Sequence, residues 1–220
     1  MSWLWLIALG GIVGLDATSF PQVMLSRPLV AGTLAGLAFG RPGAGLLVGA
    51  ILEVFDLGIL PVGASRYPEG GTAAVAATAA FLAVDADATA ALLLAVLFGL
   101  AWERVAGASV VLVRHWTERI VETAEPPDDT DIERRHLTAM SLDFARGAIV
   151  CVAGAATGAL LLTTLVPLWG AAPGTARAAM IVTAAGAAGA ALTVFGGWTE
   201  RRHVFLLGVV CGSLLLFALA

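Results

Sequence analysis

The sequence predicts an all-α polytopic membrane protein: a bundle with broken or re-entrant helices in its N-terminal third and longer transmembrane helices after it. Three observations lead there. Of 220 residues, 59% are hydrophobic and only 13% charged, and the mean hydropathy is +0.92, well outside soluble globular usage. Apolar runs recur along the whole chain. In the first third they are interrupted by Pro21, Pro28, Pro42, Pro61 and Pro68 and by charges. Backbone at membrane depth tolerates such breaks only where it packs in protein or lines a polar cavity.

Residues 2–15 form an apolar helix of roughly 20 Å, too short to cross a hydrocarbon core of about 30 Å unaided. They lack a basic n-region and are expected to belong to the mature membrane domain, with no cleaved signal. A polar, proline-flanked break follows at 16–28. Residues 29–52 look like one span, but Arg41-Pro42-Gly43 splits them into two short helices, a pattern that forms binding sites in transporters. Gly32, Gly36 and Gly40, then Gly45 and Gly49, recur every four residues and predict close helix packing. Glu53 and Asp56 share one face at i, i+3 before Gly58 and Pro61 end the helix.

A second polar break at 65–71 carries Arg66, Tyr67, Pro68 and Glu69, and an apolar run at 72–84 ends at Asp85 and Asp87. Residues 88–113 are the first run long enough to span comfortably; Trp102, Glu103 and Arg104 near its end are expected at the membrane interface. The segment 114–136 holds seven acidic and four basic residues around Pro126-Pro127 and is expected to be a charged surface loop with an amphipathic helical start. Spans at 141–168, 177–195 and 204–220 complete the chain, with no polar tail expected after the last. The organisation is thus 1–113, 114–136 and 137–220 within one integrated membrane domain. Arginines 114, 119, 134 and 135 and the pair at 201–202 lie two spans apart, and the positive-inside rule puts both groups on the cytoplasmic side.

Ordinary catalysis finds little support. His115, His136 and His203 lack partners at useful spacing, Cys151 and Cys211 are isolated in apolar runs, and the chain has no lysine for a phosphate loop. No metal or cofactor is expected. With a net charge of −4 and no basic patch interleaved with aromatics, neither is nucleic acid. Binding of a hydroxyl-rich solute fits better. Gln22, Arg27, Glu53, Asp56, Arg66 and Glu69 supply donors and acceptors within the glycine-rich broken region. For Glu53 and Asp56 three roles stay open: accepting sugar hydroxyls, carrying a proton, or pairing with Arg27 or Arg66.

The stretch SRPLVAGTLAGLAFGRPGAGLLVGAILEVFDLGILPVGASRYPE, residues 26–69, resembles the N-terminal signature of IIC membrane subunits of the mannose/fructose/sorbose family of the phosphoenolpyruvate-dependent sugar phosphotransferase system. The resemblance rests on Arg27-Pro28, the glycines around Gly36 and Gly45, the Gly-x-x-Leu-Glu element at Gly49 to Glu53, and Leu57-Gly58 leading to Gly63-Ala64. It implies a sugar-translocating subunit of the bacterial cytoplasmic membrane. Such a subunit works with a IID membrane subunit, as an oligomer with it, and with soluble IIA and IIB phosphocarriers, IIB carrying the phosphohistidine. It further implies Glu53 as the sugar-binding carboxylate and Arg27 as part of the broken-helix site. Pro61 stands where mannose-type members tend to have asparagine, and the resemblance marks it as the position where sugar specificity would differ. The rival readings are a proton-coupled carrier using Glu53 and Asp56, and a degenerate scaffold or regulator that no longer transports.

Overall fold

The computed structural model describes residues 3–59, 67–84, 89–122, 129–169 and 173–194, with short pieces at 202–203, 206–207 and 210. These residues form helices and connecting turns: α1 (Trp3–Thr18), α2 (Pro28–Ala38), α3 (Pro42–Asp56), α4 (Gly70–Ala83), α5 (Thr89–Glu122), α6 (Asp129–Leu165) and α7 (Pro173–Val194), with a 3₁₀ turn at Val166–Leu168. Among the described residues there is no strand. Most of the span expected at 204–220, as well as Pro61 and Arg66, lies outside the described residues.

The break at Arg41-Pro42 is real, and its cause is local. Pro42 occupies the first position of α3, where a missing N–H costs nothing, and Gly40 takes φ +72, which lets the chain reverse. Helices α2 and α3 therefore fold back on each other as a hairpin. Gly32 faces Gly45 and Gly49, and Gly36 faces Gly45, so closely that a Cβ on any of them would strike the opposite backbone. Substituting Gly45 by Val is expected to cost at least the roughly 1–3 kcal/mol of an overpacked core, because backbone cannot rotate aside as a side chain can. Thermal unfolding in detergent measures it, and an unchanged midpoint would refute the close packing.

Helix α4 is the centre. It contacts α1, α2, α3, α5 and α6, and every residue from Gly70 to Phe81 is buried. Its sequence, GGTAAVAATAAF, explains how one helix accepts so many neighbours: small side chains on every face let backbones approach, and a helix apolar all round belongs inside. Gly154 and Gly158 of α6 lie against Ala76 and Ala80 of α4, while Gly10 and Gly14 of α1 lie against Gly147 and Cys151 of α6. Large apolar side chains face outward instead, among them Trp3, Leu4, Trp5, Ile149, Leu160 and Val182. In water such exposure would be an association hazard; in lipid it is the expected surface.

Two helical stretches, Thr89–Ile120 and Asp131–Leu168, are long and apolar enough to cross a membrane, whereas α1, α2 and α4, at 16, 11 and 14 residues, are shorter than a full span. Two local expectations gain detail. The helical start expected in the charged segment 114–136 is the end of α5, which runs on to Glu122; residues 123–128 lie outside the described residues, α6 starts at Asp129, and Arg135 Nη1 donates to the Ile120 carbonyl at 2.9 Å to tie the two helices. Once an apolar span has nucleated a helix, each polar residue added gains one backbone hydrogen bond for one residue fixed. Trp102 and Glu103 also turn toward protein. Trp102 stacks on Phe98 and donates to the Val150 carbonyl at 3.2 Å, and Glu103 is 1% exposed. Hydropathy reads depth along a helix, not which face meets protein.

Candidate substrate site

The polar breaks converge at the ends of four short helices. Asp16, in the last turn of α1 and 2% exposed, holds the first break: its Oδ1 accepts from the Val23 N–H at 2.7 Å and its Oδ2 from Ser26 N–H at 2.8 Å. These bonds offset the left-handed backbone of Gln22 and Met24, at φ 59 and 69, which costs on the order of 1 kcal/mol or more per residue without a Cβ-free side chain. The loop so shaped delivers Ser26 and Arg27 to the start of α2.

There Glu53, from the last turn of α3, reaches the α2 N-terminus. Its Oε2 accepts from the Leu29 N–H at 3.3 Å and its Oε1 lies 3.5 Å from Arg27 Nη1. A carboxylate at that end satisfies an unpaired helical N–H and faces the positive end of the helix dipole. One turn on, Asp56 is pressed against the first residue of α4: a Cβ on Gly70 would collide with Asp56 Oδ2. Asp56 Oδ1 is buried and has no hydrogen-bond partner among the described residues.

The second break, 67–69, runs extended into α4. Glu69 caps that helix, accepting from the Thr72 N–H at 3.1 Å and from the Thr72 hydroxyl. It also pairs with Arg146 of α6 at 3.6 Å, both side chains being 3% exposed. Arg146 donates further to the Gly14 carbonyl of α1 at 2.9 Å and to Ser109 Oγ of α5 at 3.4 Å. Glu69 is thus held by Arg146, an arrangement that was not among the pairings expected from the sequence.

Between these groups lies a cleft of about 200 Å³ lined by Ala17, Ser26, Arg27, Pro28, Asp56, Ile59, Tyr67, Pro68, Glu69 and Gly70. It is smaller than the roughly 300–1,000 Å³ of a drug-sized pocket, a scale that suits one small solute. Carboxylates accept, the guanidinium, phenol and serine hydroxyl donate, and Pro28, Pro68 and Ile59 supply an apolar side. Of the six residues expected from the sequence, Arg27, Asp56 and Glu69 meet here. Glu53 stands behind Arg27, off the cleft wall. Gln22 is exposed, its amide donating to the Thr18 carbonyl at 3.4 Å, and is also off the wall. Ser26, Tyr67 and Arg146 were missed. Arg146 could have been found: an arginine among the apolar residues of a span is by default paired and functional. Among the described residues no group of three His, Cys, Asp or Glu could hold a metal ion.

The family-level profile described as the sorbose-specific IIC component of the phosphotransferase system matches residues 1–196. The chain belongs to this family. Among individual relatives, this sorbose-type IIC chain is 28% identical over 141 residues to the fructose permease IIC component of Bacillus subtilis, covering 64% of the chain and 52% of the relative. It is 28% identical over 135 residues to the mannose-specific EIIC component of Escherichia coli K12, covering 60% and 49%. The sorbose-specific EIIC component of Lacticaseibacillus casei is 26% identical over 141 residues, covering 63% and 50%. The IIC chain spans about half the length of the curated relatives it matches. Its fold resembles a solved structure titled as a membrane protein, with a TM-score of 0.74 at 18% identity over 99% of this chain and 94% of that one. It also resembles a chain of the mannose transporter ManYZ in complex with microcin E492, with a TM-score of 0.63 at 17% identity over the same shares of 99% and 94%. Membership of this permease family and the outward apolar faces agree on a membrane protein.

Proposed function

We propose that this IIC chain binds a hexose-like sugar in the cleft between the α2–α3 hairpin and the start of α4, and moves it across the bacterial cytoplasmic membrane as a multi-pass permease subunit. The observation that carries the reading is the cleft itself, where ends of broken helices bring Arg27, Asp56, Tyr67 and Glu69 around one small space. Discontinuous helices that aim termini and polar side chains at a buried space are the usual architecture of a transporter site. In this reading Asp56 and Glu69 accept sugar hydroxyls, Arg27 and Tyr67 donate to ring or hydroxyl oxygens, and Glu53 keeps Arg27 turned toward the cleft. Transport is a shift between outward and inward states that contact the sugar differently. A IID membrane subunit in the same oligomer and soluble IIA and IIB complete the system, with phospho-IIB supplying the phosphate on the cytoplasmic side. The names of the relatives make mannose, fructose and sorbose the first sugars to try.

The test is phosphoenolpyruvate-dependent uptake of these sugars by cells carrying the chain with its partner subunits. Glu53→Gln is expected to lower uptake about tenfold or more while leaving the protein in the membrane, since loss of the charge frees Arg27. Uptake equal to that of the parent would remove the role given to Glu53.

One observation favours a second reading, a proton-coupled carrier: Asp56 and Glu103 each have a buried carboxylate oxygen without a partner among the described residues. Uptake by purified protein driven by a pH gradient, without phosphoenolpyruvate, would select that reading. The absence of neighbouring IIA, IIB and IID genes would select a scaffold that no longer transports.

A further inference from the structure

The cleft has a second cavity near it, and a side chain lining one touches a side chain lining the other. The second cavity, about 410 Å³, lies among α1, α5 and α6 and is lined by Thr18, Ser19, Val113, Arg114, Thr117, Glu118, Ala139 and Asp143. Neighbouring residues line the two spaces. Ala17 of α1 lines the cleft while Thr18 and Ser19 line the second cavity, and Tyr67 lines the cleft while Arg114 lines the second cavity. Arg114 Nη2 donates to the Tyr67 hydroxyl at 3.3 Å, with its guanidinium 5.7 Å from the centre of the Tyr67 ring.

The strap that carries Tyr67 rides on one stripe of α5. The Glu69 N–H donates to the Glu103 carbonyl at 3.1 Å, Gly107 leaves room for the Tyr67 carbonyl, and Arg114 holds the Tyr67 hydroxyl. Glu103, Gly107 and Arg114 stand at i, i+4 and i+11, on one face of the helix. A movement of α5 against α4 therefore moves the strap. Arg114 also has a second place to go. Glu118 follows it by four residues on α5 and, with Asp143, lines the second cavity, so alternative anionic partners stand around the same space as Arg114. Ser19 donates to Asp143, which ties that wall to the end of α1.

We infer that the Tyr67–Arg114 contact is a gate between the sugar cleft and an exit vestibule for the same sugar, the cavity lined by Thr18, Ser19, Thr117, Glu118 and Asp143. This rests on the sugar reading of the cleft. In the closed state Arg114 engages Tyr67; in the open state it turns to Glu118 and Asp143, and the sugar passes between hydroxyls and carboxylates that replace its water contacts. The vestibule lies toward the α5 and α6 ends that carry Arg119, Arg134 and Arg135, which the positive-inside rule assigns to the cytoplasm, where the phosphate donor waits.

The experiment reads the gate without any sugar. In the full chain, with Cys151→Ser and Cys211→Ser, Ala17→Cys places one thiol on the cleft wall, and inside-out membrane vesicles are treated with a charged, membrane-impermeant methanethiosulfonate. Adding Arg114→Gln or Tyr67→Ala is expected to speed labelling about tenfold, the population shift from losing one charge-assisted hydrogen bond and its cation–π contact. An unchanged rate in both would overturn the gate. Arg114→Gln alone decides if Tyr67→Ala does not accumulate. Binding of labelled mannose, fructose and sorbose to the same vesicles separates the two claims. Faster labelling with no binding of any of them removes the sugar reading and keeps the gate, whereas sugar binding with unchanged labelling removes the gate and keeps the sugar site.

Discussion

Arg146→Met lowers the stability of the folded protein by about 3–5 kcal/mol, the cost of leaving a buried charge without its partner. The side chains of Arg146 and Glu69 are both 3% exposed, so neither water nor salt can take over for the missing ion. Arg146 also joins four helices: it pairs with Glu69 at the start of α4 and donates to Gly14 of α1 and Ser109 of α5 from its own place in α6. Loss of the guanidinium also removes one of the donors to the Gly14 carbonyl, which keeps the Thr18 hydroxyl at 2.9 Å. The measurement is thermal or denaturant unfolding in detergent. Arg146→Met combined with Glu69→Gln should recover most of the loss, because removing both charges leaves nothing unpaired. A single variant as stable as the parent would show that the pair is not formed.

Asp56→Asn has the opposite signature: sugar uptake falls about a hundredfold, with little loss of stability. Asp56 Oδ1 is buried without a partner among the described residues, in the wall of the cleft. A buried oxygen in that condition costs the fold free energy, and such groups cluster where function uses them. The amide keeps the shape but puts a donor and no charge where a sugar hydroxyl would find a carboxylate, a loss of roughly 2–3 kcal/mol for a charge-assisted hydrogen bond. Uptake and unfolding measured on the same preparation separate the roles. Lost stability with retained uptake would make Asp56 structural and move the site elsewhere. Glu69 makes the comparison useful, since it lines the cleft and is also held by Thr72 and Arg146, so that its removal should damage both properties.

The contrast between these two carboxylates shows how far sequence reasoning reaches. Both were singled out as ionisable residues in glycine-rich apolar sequence, and both line the cleft. Their neighbours were another matter. Glu53, the residue deepest in apolar sequence, turned out to hold the α2 N-terminus and Arg27, because the hairpin reversal at Gly40 brings the end of α3 beside the start of α2. A hydropathy pattern places Trp102 and Glu103 by depth alone and cannot say that Trp102 donates to α6 or that Glu103 is buried in protein.

By itself, the sequence determined the helical membrane class, the interruption at Arg41-Pro42, the close glycine packing of α2 against α3 and the family. These follow from local chemistry: proline removes a donor and fixes φ, glycine removes a side chain, and apolar runs demand burial or lipid. The tertiary structure alone decided which charges meet. Glu69 finds Arg146, Arg114 finds Tyr67, and Asp56 has an oxygen without a partner among the described residues at the wall of a cleft. Those partners lie on different helices, and an ion pair or hydrogen bond depends on distances of a few ångströms that only the packing of α4 among its neighbours sets.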